Sequence, residues 1–148
     1  MFDFLNHWPV VWKNFAQIGI TYLLTIFIGV EQEHEEHAIG LRTFPLVGIA
    51  SCCVLLVFAA PPRSDDQSRV LQGLITGIGF VGGGAIMRSR ATVKGTATAA
   101  SIWNAAIIGA SVAMEHYEIG ILLTVLNLFT LRVLLPIKTR IDRRRARL

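Results

Sequence analysis

The sequence predicts an all-α protein: a polytopic bundle of about five transmembrane helices, N-terminus out and C-terminus in. Three observations lead there. The 148-residue chain is 53% hydrophobic and only 16% charged, against about a quarter charged in soluble domains. Its mean hydropathy is +0.54. The charges are segregated, leaving apolar blocks near the roughly 17–25 residues that a bilayer core requires.

Five blocks qualify: Phe15–Val30, Thr43–Ala60, Val70–Met87, Ala97–Met114 and Ile119–Leu135. Pro61-Pro62 ends the second and Pro136 the fifth, while Pro45 falls in the first turn of the second, where a missing N–H is tolerated. Trp8 and Trp12 suit an interfacial anchor ahead of the first block. The segment MFDFLNHWPVVWK lacks a basic leader and a small-residue cleavage site, and reads as retained.

Lys and Arg set the orientation. One side collects Arg42, Arg88, Arg90, Lys94, Lys138, Arg140, Arg143, Arg144, Arg145 and Arg147; the other holds Lys13, Arg63 and Arg69. The connecting loops are short, so any chemistry would have to be done at or inside the membrane. Cys52 and Cys53 are adjacent within an apolar run and read as small packers.

The third block, VLQGLITGIGFVGGGAIM, carries Gly73 and Gly77 four apart, and Gly79 and Gly83 likewise. Each glycine weakens a helix in water by roughly 1 kcal/mol. In lipid, small residues let backbones approach closely. GIGFVGGG contains a G-x-G-x-x-G, but apolar flanks of span length exclude the strand-led nucleotide loop. The fourth block has its own ladder in Ala97, Ser101, Ala105, Gly109 and Ala113. The expectation is that the third and fourth helices pair tightly through these two small-residue faces. The mid-span amides Asn104 and Asn127 are expected to bond across helices.

GIGFVGGGAI followed by VKGTATAASIW resembles the core signature of the MgtC/SapB family of bacterial membrane proteins. GVEQE (Gly29–Glu33), GLRT (Gly40–Thr43) and DQSR (Asp66–Arg69) resemble further family motifs, so the likeness covers about Gly29 to Trp103. Departures are Gly83 for Ala, Gln32 for Arg and Thr96-Ala97 for Leu-Thr. The chain resembles a short form without the soluble C-terminal domain of longer members: a membrane domain over 1–136 and a basic cytoplasmic tail over 137–148. The resemblance implies a multi-pass protein of the bacterial cytoplasmic (inner) membrane, linked to growth at low magnesium and, in pathogens, to survival in host cells. It implies action on other membrane proteins in some members, the ATP synthase included, and carries over no catalytic residue.

Charged and polar candidates follow. Glu31 and Arg42 stand at opposite ends of one short hairpin, in reach of an ion pair; the alternative is two separate snorkelling side chains. Asp66 and Arg69 read as a helix-start acid and its neighbour, or as a charged gate over the glycine helix. Arg88, Arg90 and Lys94 form a basic loop that sets topology, with lipid phosphate as a further partner. The terminal RRRAR suits anionic lipid rather than nucleic acid. EQEHEEH, Glu31 to His37, spaces His34 and His37 three apart, which fails the zinc-protease pattern; it reads as a solvated loop. No catalytic, metal or cofactor residue is assigned, and no nucleophile–base pair marks an enzyme. The leading reading is a regulatory or accessory membrane protein that works through helix contacts with itself or a membrane partner. The alternative is an ion transporter or channel with a pathway along the glycine-rich third helix, using Gln72 and Asn104.

Overall fold

The structure, a computed structural model, describes residues 8–33, 40–58, 64–89 and 92–145. Five helices account for most of them: α1 (Trp8–Glu33), α2 (Thr43–Phe58), α3 (Ser64–Gly84), α4 (Thr96–Ala113) and α5 (Tyr117–Arg145). A small antiparallel hairpin, β1 (Met87–Ser89) with β2 (Thr92–Lys94), joins α3 to α4. Among the described residues, three segments are long and apolar enough to cross a membrane: α1, α4 and α5 as far as Leu134. The apolar α2 is shorter, at 16 residues. α3 starts within the charged stretch SDDQSR, which dilutes its apolar character.

Side chains in the bundle are sorted by the solvent they meet. The buried face of α1 is Gln17, Thr21, Thr25, Ile28, Gly29 and Gln32, while Phe15, Leu23 and Phe27 point outward. A water-soluble helix does the reverse. Lipid accepts the large apolar side chains, so the interior takes small and hydrogen-bonded polar ones. Trp8, Trp12 and Phe15 form an exposed edge-to-face ladder along α1, each ring 6.0 Å from the next.

The central helix is α4, which contacts all four others. Its tightest approach is to α2. A Cβ on Gly109 would fall inside the carbonyl of Gly48, and it would lie 3.1 Å from the Cys52 nitrogen. Gly48 in turn sits under the Thr21 and Thr25 side chains of α1. Three helices therefore meet where two glycines remove all side-chain bulk. Around this point Ile28, Phe44, Ile102, Ala105 and Ile108 are fully buried.

The expected tight pairing of α3 with α4 is not what this chain builds. Nothing lies within 4 Å of a Cβ placed on Gly73, Gly77, Gly79 or Gly83. In α3 the glycine that meets α4 is Gly82, whose Cβ would stand 3.4 Å from the Ala99 carbonyl oxygen. On α4, Ser101, Ala105 and Gly109 are buried, against α1, α2 and α5, whereas Ala97 is exposed. The ladder was real but served a different neighbour.

Two boundaries also differ from expectation. The third block was read as helical through Met87, but α3 ends at Gly84, after which Ala85 and Ile86 N–H groups bond to Gly82 and Gly83 carbonyls in tight turns. The chain then enters β1, and it returns through Gly95 at φ +84°, where a Cβ would strike the Ala85 carbonyl. Only glycine meets both demands. Pro136 was expected to end the fifth helix; α5 instead continues to Arg145. Proline removes one intrahelical hydrogen bond, which interrupts the ladder without stopping the coil. The backbone thus runs helical across the boundary expected at 136.

The α4–α5 turn is a Schellman closure. Glu115 adopts φ 65°, its N–H bonds to the Val112 carbonyl at 3.1 Å, and the His116 N–H reaches the Ser111 carbonyl at 2.8 Å. Glu115 also pairs with Lys13 of α1.

The glycine geometry separates two substitutions of identical chemistry. Gly109→Ala is expected to destabilise the detergent-solubilised protein by about 2 kcal/mol or more, since backbone must move. Gly77→Ala, with open space around it, is expected to leave the unfolding midpoint within experimental error or to raise it slightly. Thermal denaturation followed by circular dichroism measures both; equal midpoints for the two variants would refute the α2–α4 contact.

Candidate functional site

Polar residues gather at the end of the bundle where α1 closes on α4 and α5. Gln32 is 1% exposed. Its Nε2 donates to Ser101 Oγ at 3.3 Å, and its Oε1 accepts from Thr98 Oγ1 at 3.2 Å. Ser101 Oγ donates onward to Asn127 Oδ1 at 3.0 Å. One hydrogen-bonded chain thus links α1, α4 and α5 through the interior. Asn127 Nδ2 is buried without a partner among the described residues, a donor facing an interior with no assigned acceptor.

The opposite end has a simpler counterpart. Gln17 Nε2 donates to the Val112 and Ala113 carbonyls at 2.9 and 3.3 Å. These belong to the last turn of α4, whose carbonyls lack intrahelical donors. Between the two glutamines, Thr21 and Thr25 return their hydroxyl protons to the carbonyls four residues earlier, at 2.9 and 2.7 Å. Ile28, fully buried, separates Thr25 from Gln32. The buried stripe of α1 is a polar seam whose hydroxyls are satisfied by its own backbone, interrupted by the apolar Ile28.

Glu31 lies next to Gln32 and accepts from Arg132 Nε of α5 at 2.9 Å. The partner expected from sequence was Arg42, and that pairing is corrected here. Arg42 is exposed in the turn before α2, while α5 brings Arg132 to the rim beside Glu31. The hairpin carboxylate that does contact the start of α2 is Glu33, whose Oε2 accepts from the Leu41 N–H at 3.0 Å. Gly40 lets it do so, since a Cβ there would collide with that same oxygen. Gly29 fits the same hairpin, 3.2 Å from Leu41 Cα were it given a Cβ. The GVEQE and GLRT stretches are therefore two halves of one hairpin contact.

The remaining candidates are dispersed. Arg69 is exposed on α3, and Asp66 stands in that helix's first turn. Lys94 is exposed at the end of β2, paired in register with Met87. Asn104 lines an open groove of about 480 Å³ between α3 and α4, together with Gly79, Gly82, Gly83, Ile86, Ala99, Ala100 and Trp103. His34 and His37 lie outside the described residues. Among the described residues no three His, Cys, Asp or Glu groups converge.

Sequence reasoning passed over Gln17, Thr21, Thr25, Gln32 and Thr98. A signal existed: Gln17, Thr21 and Thr25 recur every four residues inside an apolar block, the mark of a polar stripe turned inward. Asn127 does make the cross-helix bond expected of it. Arg132 falls within the apolar block Ile119–Leu135, but nothing in the order of residues identifies its partner.

Replacing Gln32 by Leu leaves the Thr98 hydroxyl and the Ser101–Asn127 pair without their link. We expect a loss of about 1–3 kcal/mol in unfolding stability, whereas Asn104→Leu at the groove should cost much less. In a double-mutant cycle read by thermal unfolding, Glu31→Gln and Arg132→Gln should couple by about 0.2–1 kcal/mol. Glu31→Gln and Arg42→Gln should be additive.

Comparison with known proteins agrees with these motifs. The model of the MgtC family matches residues 18–140. The putative magnesium transporter YhiD of Escherichia coli K12 is 36% identical over 114 residues, covering 72% of this chain and 53% of its own length. Protein MgtC of Salmonella typhimurium LT2 is 32% identical over 106 residues, covering 72% of this chain and 46% of its own. An uncharacterized Synechocystis protein is 27% identical over 130 residues, covering 88% of this chain and 56% of its own. The chain thus spans about half the length of the curated relatives it matches. No solved structure matches it. With the family model covering most of its length and its bundle turned apolar side out, this chain is a membrane protein that belongs to the MgtC family.

Proposed function

We propose that the chain is a regulatory or accessory protein in magnesium-linked homeostasis, a multi-pass protein of the bacterial inner membrane with N-terminus out and C-terminus in. It is not an enzyme in this reading; it acts by presenting a helix face to a second membrane protein or to a second copy of itself. The observation that carries this is the open face of α3. Gly73 and Gly77 meet nothing within 4 Å, and Phe80, on the same stripe, is 87% exposed. A helix so rich in glycine exposes backbone that lipid covers poorly, and close helix packing is its usual remedy. The excess of Lys and Arg at the hairpin and tail end supports the orientation.

A second reading is favoured by the name of one relative, a putative magnesium transporter, and by the polar seam from Gln17 to Gln32. In that reading the chain moves an ion. The internally bonded hydroxyls and the Ile28 block argue for a closed path, so transport would require the seam to open.

Complementation of a deletion strain at low magnesium tests the first reading. The wild-type chain should restore growth, and Gly77→Leu should fail to do so while folding and inserting normally. Reconstituted liposomes with an internal magnesium-sensitive dye test the second. Reproducible flux, lost in Gln32→Leu and kept in Gly77→Leu, would replace the accessory reading with the transporter.

A further inference from the structure

Helix α5 outruns its apolar span. The span closes at Leu134, yet the helix continues to Arg145. Eleven residues follow Leu134 in that helix, about 16 Å at 1.5 Å per residue. They include Lys138, Arg140, Arg143, Arg144 and Arg145, against the single acid Asp142. Held upright, the segment would lift its far arginines about 13–16 Å above the span, where salt screening weakens their attraction to headgroups. Laid down, it would bring all five charges to the surface.

Helical register shows which way it lies. Arg132 meets α1, where its Nε donates to Glu31 at 2.9 Å. Leu134, 53% exposed, falls on the opposite side of α5. Ile137 and Ile141 follow it at steps of three and four, so they extend the same outward stripe. Arg140 and Arg144 border that stripe on one edge, Lys138 and Arg145 on the other, the layout of a helix that rests in a membrane interface. Pro136 sits one turn past Arg132, on the inner side. It leaves the Arg132 carbonyl without its intrahelical donor, and a proline ring needs room beside that carbonyl. The helix therefore opens on the inner side and bends most easily toward the outer one. A tilt in that direction turns the stripe from Leu134 to Ile141 down onto the bilayer, with its basic borders at headgroup level. The Glu31–Arg132 pair fastens α5 to the bundle just before this hinge. We propose that residues 137–145 form an interfacial helix that hinges at Pro136 and docks on an anionic bilayer surface. Basic segments beside a spanning helix bind such surfaces. The inference rests on the membrane assignment alone and is independent of the accessory and transporter readings.

Hydrogen exchange of the full chain in nanodiscs, read by mass spectrometry, tests this with phosphatidylglycerol or phosphatidylcholine of identical acyl chains. The amides of 137–145 should exchange more slowly in phosphatidylglycerol discs. Arg140→Gln should cut that difference about fivefold, the equivalent of about 1 kcal/mol for one charge at a membrane surface. Pro136→Ala should keep the segment helical and abolish the difference, because the hinge is gone. Ile141→Ser keeps every charge, removes part of the apolar stripe and should lose most of the difference; it serves if the proline variant does not fold. Equal exchange of the wild type in the two discs, or a full difference in a folded Pro136→Ala or Ile141→Ser chain, would overturn the proposal. Protection by added polyglutamate in place of phosphatidylglycerol would assign the segment to an acidic protein and overturn it too.

Discussion

The contact between Gly109 and Gly48 sets the architecture. It lets α4 and α2 approach until backbone touches backbone, and it does so in a helix that contacts all four others. Once that distance is fixed, α1 can lay Thr21 and Thr25 over Gly48, and Gln17 can reach the last carbonyls of α4. Gln32 then meets Thr98 and Ser101, and Ser101 meets Asn127. The polar chain at the end of the bundle is a consequence of a steric vacancy near its middle. In lipid, where apolar burial between helices gives little net driving force, contacts of this kind and cross-helix hydrogen bonds carry the assembly.

Much of the fold was legible in the chain. Apolar length located all five helices, and Pro45 sits in the first turn of α2 as expected, but Pro136 did not end α5. What one dimension could not convey was which face meets which neighbour. The ladder Ser101, Ala105, Gly109 was visible, yet its partner was Gly48, a single glycine in an ordinary apolar run. Of the conspicuous glycines of α3, Gly82 meets α4 and Gly79 and Gly83 line a groove beside it, while Gly73 and Gly77 meet no other helix. Glu31 was correctly marked as a rim residue, but nearness in sequence pointed to Arg42 while the helix bundle supplied Arg132 from 101 positions away. The hairpin of β1 and β2 was read as a loop, because six residues of weak strand character give no periodic signal.

The division of labour within the chain follows. Helices α1, α2, α4 and α5 form a bundle whose interior is crossed by hydrogen bonds, with Gln17 Oε1 and Asn127 Nδ2 left over among the described residues. Helix α3 packs along one side of it, with most of its small residues unspent. If α3 is the proposed recognition helix, the stable part and the recognising part are different helices, and substitutions in the two should separate by phenotype.

The two ion pairs on α1 have a consequence for where this bundle can reside. Lys13 holds the α4–α5 turn at one end, and Glu31 holds Arg132 at the other. The step of eighteen residues from Lys13 to Glu31 spans about 27 Å of helix. Charges that slide to follow the headgroups give up this pairing, so the bundle favours one hydrophobic height. A thicker bilayer must thin around it, at a cost of fractions of a kcal/mol per ångström. The clasped helix therefore acts as a gauge, matching the protein to thin membranes and drawing it away from thick ones.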